Sequence, residues 1–108
     1  MSDSKTTKDP VPSPELEAGL ARIRQNIDEV DAVLVKLLNQ RARWALEIGE
    51  LKKREGVPVY QPEREAEVMD HVNRVNRGPL PRAAMQRLFE RVVDEARRLE
   101  RIGGEEER

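Results

Sequence analysis

The chain has 108 residues, enough for one domain and hardly two, and 38% of them are charged while only 3% are aromatic. One Trp, one Tyr and one Phe cannot fill a broad globular core, so the composition favours long helices that pack along narrow apolar seams. The formal net charge of −1 argues against a general electrostatic attraction to nucleic acid or to an anionic membrane.

Several chemistries are excluded by residues that the sequence lacks. There is no cysteine, the single histidine is His71, and serine occurs only at positions 2, 4 and 13. Disulfides are therefore impossible, an activated Ser or Cys nucleophile is almost excluded, and one histidine cannot build a metal cluster, so we expect no metal site. No apolar run approaches the roughly 18 residues of a membrane span and no signal-peptide pattern opens the chain, so the expected location is cytoplasmic.

The chain opens with a polar, Pro-containing segment, residues 1–13, which is predicted to be a disordered tail. Ser13 followed by Pro14 is a favourable helix start, because a hydroxyl can cap the helix and proline suits its first position. Gly56 suits the left-handed residue just beyond a helix C-terminus. These signals predict a first helix over residues 14–55, with no proline inside it after the first turn.

Apolar residues recur along this helix at alternating steps of four and three, from Leu16 to Leu51, and form one apolar seam. A helix of this length would extend about 60 Å at 1.5 Å per residue, which one small monomer cannot cover. We therefore expect the seam to pack on a second copy of the chain. The seam has one exception, since the spacing calls for an apolar residue where the sequence has Arg41.

Two shorter helices follow the first. After a short extended connection, Pro62 opens a second predicted helix over residues 62–76, which the sequence Gly78-Pro79-Leu80-Pro81 interrupts. A third predicted helix spans residues 81–102, where Gly103-Gly104 is expected to stop it, leaving residues 103–108 as a charged tail. The sequence has no convincing strand pattern. The predicted fold is all-α, with one very long, one short and one medium helix in a domain ending at residue 102.

Charged side chains occur on faces that these helices must bury. Lys52 lies eleven residues after Arg41, and eleven helical steps return to within about 20° of the same direction. Gly49 between them costs roughly 1 kcal/mol relative to Ala in a helix and suggests that something approaches the backbone closely. Two inward cations need a negative partner. That partner is either an internal carboxylate such as Glu65 or an anionic ligand; Arg41 could also reach the solvent at the rim.

Three further charged residues are candidates for the same site. Arg24 lies 17 residues before Arg41, hence about 25 Å away and about 100° off its direction, so it could reach only the pocket of an antiparallel partner. Glu65 lies on or beside the apolar face of the second helix. A carboxylate in the first turn can also be there only because it interacts favourably with the helix dipole. Glu100 borders the apolar side of the third helix, although a solvated helix-end Glu is the simpler interpretation.

The pattern as a whole resembles a known family. In chain order it comprises Arg24, Asp31, Leu37-Leu38-Asn39-Gln40-Arg41, Gly49-Glu50-Leu51-Lys52, Gly56-Val57-Pro58-Val59-Tyr60-Gln61-Pro62-Glu63-Arg64-Glu65 and Arg87-Leu88-Phe89. Over residues 15–101 it is similar to the small all-helical chorismate mutases. This resemblance implies an intertwined homodimeric helical bundle with two shared active sites, no cofactor, and the Claisen rearrangement of chorismate to prephenate on the route to phenylalanine and tyrosine.

The resemblance also implies how the substrate is held. Arg41 and the partner's Arg24 would bind the two substrate carboxylates, and Lys52 would reach a carboxylate and the ether oxygen. Many bacterial relatives have Gln where this chain has Glu100, and an ionised Glu can only accept a hydrogen bond. Glu100 would therefore have to be protonated to help the ether oxygen, which predicts a rate that rises as the pH falls.

A second group of residues would surround the substrate hydroxyl. By the same resemblance, Glu65 would accept the ring hydroxyl, helped by backbone near Gln61, and Arg64 would brace the site electrostatically. Two positions depart from the family pattern: Gln61 replaces an Asp that is common before the proline, and Ala96 replaces a small hydroxyl residue found in some relatives. The contact from that hydroxyl is therefore missing here.

Three other functions remain open from the sequence. One is an isochorismate-pyruvate lyase on the same scaffold, which the Arg64-Glu65 pair argues against. Another is a low-activity helical module that regulates a partner enzyme of the shikimate pathway. The last is a plain coiled-coil dimerisation module, which predicts that Arg41→Leu stabilises the fold and removes no activity.

Overall fold

The computed structural model describes residues 9–106 and contains three α-helices in chain order: α1, Pro14–Glu55; α2, Pro62–Val75; and α3, Arg82–Glu106. Between residues 9 and 106 there is no β-strand, so the predicted all-α class with one long, one short and one medium helix is confirmed. Most of the predicted N-terminal tail lies outside the described residues. None of the three helices combines the length and the apolar character needed to cross a membrane.

Local signals set both ends of α1 as predicted. The Ser13 hydroxyl accepts a hydrogen bond from the Leu16 backbone N–H at 3.1 Å, which satisfies one of the free donors of the first turn. At the other end Gly56 adopts φ +68°, and the Val57 N–H donates to the carbonyl of Lys52 at 2.9 Å. This is the bond that a left-handed C-terminal residue makes possible, and it turns the chain into the connection before α2.

Helix α2 begins at Pro62, as predicted, and ends one residue before the predicted position. The N-cap residue Gln61 makes no side-chain capping bond, which agrees with its poor capping chemistry. At the other end Asn76 is extended, and its side-chain oxygen accepts a hydrogen bond from the Gly78 N–H at 3.0 Å. The Asn76 side chain thereby organises the turn that leads to α3.

The predicted end of α3 at residue 102 was wrong, because the helix continues through both glycines to Glu106. Gly103 is buried, and a Cβ added there would overlap the backbone carbonyl of Leu46 in α1. A Cβ added at Gly49 would likewise overlap the backbone of Glu100. The glycines therefore serve close backbone packing between α1 and α3, and this packing outweighs their low helix propensity.

The chain divides into two compact units between Leu37 and Leu38, and these are called the first and the second unit in chain order. In the second unit α2 packs on α3, and the buried apolar residues are Ala45 of α1, Val72 of α2 and Val93 of α3. The first unit contains the N-terminal part of α1, whose large apolar side chains, apart from the partly buried Leu20, are between 49% and 64% exposed. They include Leu16, Ile23, Ile27, Val30 and Leu34.

Candidate active site

The second unit contains a cavity of about 460 Å³ that residues from all three helices line. Its wall consists of apolar side chains, four cations, two carboxylates and one amide. The lining residues are Arg41, Trp44, Ala45, Ile48, Lys52, Val59, Gln61, Arg64, Glu65, Val68, Val93, Ala96, Arg97 and Glu100. The cavity therefore carries an excess of two positive charges in a largely apolar wall, where charge interacts more strongly than in water.

Helical periodicity explains how these side chains reach one space. The α1 residues Arg41, Ala45, Ile48 and Lys52 are spaced by four, three and four, so they form one stripe along the helix. The residues from α3 follow the same rule, with intervals of three, one and three between positions 93 and 100. Trp44 of α1 lies beside the first stripe, and the connection before α2 and the first turns of α2 supply the rest.

Lys52 connects three parts of the structure. Its Nζ donates to the Oε1 of Glu100 at 2.7 Å and to the backbone carbonyl of Val59 at 2.8 Å. The side chains of Lys52 and Glu100 are each only 15% exposed. The interpretation of Glu100 as a solvated helix-end residue was therefore wrong. An ammonium has three donors, so Lys52 retains one hydrogen for a further acceptor.

Arg41 is half-buried and differs from the other three cations of the cavity. Among residues 9–106 it alone of the four has no ion pair. Burial lowers the pKa of the Arg41 guanidinium, the neighbouring Arg64 lowers it further, and Glu100 partly opposes them. A desolvated guanidinium without a negative partner is costly, so this is the position of the wall with the strongest need for an anion.

Glu65 has a partner that the sequence pattern did not predict. Arg97 of α3 donates from Nε to Oε2 and from Nη2 to Oε1 of Glu65, both at 2.9 Å. The guanidinium carbon of Arg97 also lies 5.3 Å from the ring centroid of Tyr60. The alternative in which Glu65 pairs with Arg41 was therefore wrong. Arg97 follows Val93 by one helical turn, and this spacing was the sequence signal that could have placed it on the inner side of α3.

The remaining predicted site residues differ in exposure. Arg64 is at the rim, where its side chain is 69% exposed and makes a 3.3 Å contact with Glu67 of the next turn. Gln61 is exposed and Ala96 is partly buried, and both line the cavity. Arg24 lies in the first unit with an exposed side chain, and its predicted role in the cavity of a second copy stays a prediction.

Gly49 also has an explanation. The close approach that its presence suggests is made by the backbone of Glu100 in α3, so a ligand does not occupy the space beside it. The cavity instead opens along the stripe that contains Arg41 and Lys52. The described residues contain no group of three or more His, Cys, Asp or Glu side chains that could hold a metal ion.

The fold and the site define an all-α domain whose three helices line a cationic cavity. Residues 23–101 match the family described as chorismate mutase type II. The chain therefore belongs to the chorismate mutase type II family, which confirms the resemblance seen in the sequence.

Curated and solved relatives agree with this assignment. The chain is 45% identical over 78 residues to a bifunctional chorismate mutase/prephenate dehydratase of Neisseria gonorrhoeae, covering 72% of this chain and 21% of that protein. It is 38% identical over 56 residues to a chorismate mutase of Methanocaldococcus jannaschii, covering 52% of this chain and 57% of that one. A solved chorismate mutase (form II) of Thermus thermophilus superposes with a TM-score of 0.73 at 32% identity, covering 75% of this chain and 92% of that chain.

The shared region is a small part of several relatives. The chain spans between a fifth and a quarter of the length of the bifunctional proteins it matches, with 21% for the Neisseria protein and 24% for one of Aquifex aeolicus. The similarity therefore concerns one domain of those proteins.

Proposed function

We propose that the chain is a chorismate mutase that rearranges chorismate to prephenate. Chorismate is a dianion, and the observation that carries the proposal is the excess of two positive charges in the wall of the cavity. Membership of the chorismate mutase type II family supports the same conclusion. The proposed role lies in the synthesis of phenylalanine and tyrosine.

The rearrangement is unimolecular, so the site needs neither a nucleophile nor a cofactor. Its tasks are to hold the reactive conformer and to place positive charge where negative charge develops. The guanidinium of Arg41 lacks an ion pair within residues 9–106 and offers the planar, two-pronged contact that suits a carboxylate. It would fix one carboxylate of the substrate.

Lys52 would act on the bond that breaks. The ether oxygen gains negative charge in the transition state, and the one donor of Lys52 that neither Glu100 nor Val59 occupies is available to it. The two existing bonds hold the ammonium in place before the substrate arrives, so little reorganisation is needed during the reaction. Glu100 would contribute by accepting the hydrogen bond that positions this ammonium.

The ring hydroxyl of chorismate would donate to Glu65, with help from backbone near Gln61. Ala96 would line the same region, and Arg64 at the rim would add long-range positive charge. This arrangement also distinguishes the proposed substrate from isochorismate, whose hydroxyl is at a different ring position. No observation favours the lyase, the regulatory module or a coiled-coil without activity over the mutase.

We further propose that the active form is an antiparallel homodimer with two shared sites. The apolar side chains of the N-terminal part of α1 are about half exposed in the single chain, and burying them on a second copy is strongly favourable. In that dimer the partner's Arg24 would bind the second carboxylate of the substrate. The dimer thus supplies both cover for the seam and the last cation of the site.

A partner enzyme of the shikimate pathway is also proposed. Curated relatives of this chain are named as bifunctional chorismate mutase/prephenate dehydratase proteins, in which the two activities belong to one chain. This chain could bring the two activities together by binding a separate enzyme instead of being fused to it. Turnover measured with and without such an enzyme tests this point.

The direct test is the loss of chorismate absorbance on incubation with the purified chain, with identification of the product as prephenate. Arg41→Ala should lower the rate by about 30- to 1000-fold, the usual cost of removing a charged group that binds the transition state. Parallel incubation with isochorismate tests the lyase. A wild-type chain that leaves chorismate unchanged would overturn the proposal.

A further inference from the structure

The Arg97–Glu65 ion pair joins α3 to α2 at the wall of the cavity. Its two hydrogen bonds, both 2.9 Å, make it a two-pronged pair in which each carboxylate oxygen faces a different guanidinium nitrogen. The side chains are 25% and 28% exposed, so the pair is partly shielded from water. This geometry fixes the plane of the Glu65 carboxylate, which a single hydrogen bond would not do.

Arg97 is itself held from two other directions. Its guanidinium lies over the ring of Tyr60, 5.3 Å from the centroid, in the connection before α2. Its Nη2 also lies 3.4 Å from a carboxylate oxygen of Asp94, one turn earlier in α3. The hydrogen bond to Glu65 is the main cause that raises the pKa of Arg97. The guanidinium therefore stays charged and has little freedom to leave Glu65.

A carboxylate in this cavity creates an electrostatic problem. The proposed substrate carries two negative charges, and a third one on Glu65 without a partner would repel it in a partly desolvated wall. Arg97 cancels that charge. Each carboxylate oxygen accepts more than one hydrogen bond, so Glu65 keeps acceptor capacity for a hydroxyl while both oxygens bind Arg97.

We propose that Arg97 is a positioning residue that orients the Glu65 carboxylate toward the substrate hydroxyl and cancels its charge against the dianion. This inference rests on the proposed mutase function, because it assigns Arg97 an effect that passes through the substrate contact of Glu65. It adds a residue of α3 that acts through another side chain.

The test is a double-mutant cycle measured by kcat and KM for chorismate. Arg97→Met should lower kcat/KM by about 10- to 100-fold, the range for losing a hydrogen-bonded charged partner, with a raised KM because the Glu65 charge is then unopposed. In the Glu65→Gln background the same Arg97→Met change should alter kcat/KM by less than about 3-fold, because the group that it positions is gone. Arg98→Met is the matched control, an exposed arginine beside it on α3.

A substrate analogue without the ring hydroxyl provides a second readout that a merely structural role would not change. With that analogue the effect of Arg97→Met on kcat should largely disappear, while the effect on KM should remain. Arg97→Lys keeps the charge but loses the two-pronged geometry, so its kcat/KM should lie between wild type and Arg97→Met. Arg97→Lys also decides the question if Arg97→Met fails to fold by circular dichroism.

The outcomes separate this inference from the function beneath it. A wild-type chain without chorismate turnover overturns both. Normal wild-type turnover together with wild-type kinetics in the folded Arg97 variants overturns the inference alone. Equal losses from Arg97 substitution in the wild-type and Glu65→Gln backgrounds also overturn it, because Arg97 would then act independently of Glu65.

Discussion

The ammonium of Lys52 in α1 lies 2.7 Å from the Oε1 of Glu100 in α3, and the same ammonium donates to the carbonyl of Val59 at 2.8 Å. One side chain thus ties the long helix to the last helix and to the connection before α2. It does so at the cavity wall, where the proposed reaction needs a positive charge. The first predictions concern this pair.

Replacing Lys52 should remove most of the activity. Lys52→Met retains the length of the side chain and removes the charge that would meet the ether oxygen, so the rate should fall by about 30- to 1000-fold. Chorismate consumption at saturating substrate measures the effect. Lys53→Met is the matched control, since Lys53 is the exposed neighbour in the same helix turn. Equal losses in both variants would contradict the assignment.

Replacing Glu100 by Gln should raise the rate of the rearrangement. A carboxylate that accepts the Lys52 hydrogen bond cannot donate to the ether oxygen, whereas the amide of Gln accepts from Lys52 through its oxygen and donates through its nitrogen. We therefore expect Glu100→Gln to consume chorismate faster than the wild-type chain. Chorismate consumption at saturating substrate measures the difference, and a slower Glu100→Gln would count against a role of this position at the ether oxygen.

Arg41 should lower the stability of the fold and be required for activity. Its guanidinium is half-buried without an ion pair among the described residues, so Arg41→Leu should raise the free energy of unfolding by about 1 kcal/mol while turnover is lost. Denaturant unfolding and chorismate consumption are measured on the same preparation. Arg43→Leu is the control, because Arg43 is exposed and hydrogen-bonds Gln40 at 2.8 Å. A stabilised Arg41→Leu with full activity would contradict the site.

Two glycines should respond in opposite ways to the same substitution. Gly49→Ala places a methyl against the backbone of Glu100 and should destabilise the fold by about 1–3 kcal/mol. Gly19→Ala, in the same helix, meets nothing within 4 Å in the chain and should stabilise by about 0.5–1 kcal/mol. Thermal unfolding of the two variants checks both signs. Similar shifts in the two would show that α1 and α3 do not pack at Gly49 in solution.

These cases show which features could be predicted from the sequence. The ends of α1 depend on local chemistry, a hydroxyl at Ser13 and a left-handed glycine at Gly56, so both were predictable. Gly103 was misjudged because its local signal is that of a helix stop, whereas its packing against Leu46 is a tertiary contact. At that position tertiary packing outweighs the low helix propensity of glycine.

The site residues show the same difference between local signals, which the sequence contains, and tertiary contacts, which it does not. Seven of the eight predicted site residues line the cavity, and only Arg24 lies in the other unit. Helical spacing indicated four of the seven, whereas Gln61, Arg64 and Ala96 were indicated by the family resemblance alone. The pairing of Arg97 with Glu65 was not predicted, because it joins residues 32 positions apart across two helices. The sequence pattern indicated Glu65 only as a possible partner of Arg41 or as a first-turn carboxylate.

If cations from two copies of the chain act on one dianionic substrate, mixing two inactive variants should restore activity. Arg24→Ala and Arg41→Ala are purified separately, mixed in equal amounts under conditions that exchange subunits, and assayed for chorismate consumption. In a mixed dimer one site has lost both arginines and the other has kept both, so we expect recovery to about a quarter of the wild-type rate. A mixture no more active than its two components, or a wild-type chain that is monomeric in solution, would rule out a site shared between two copies.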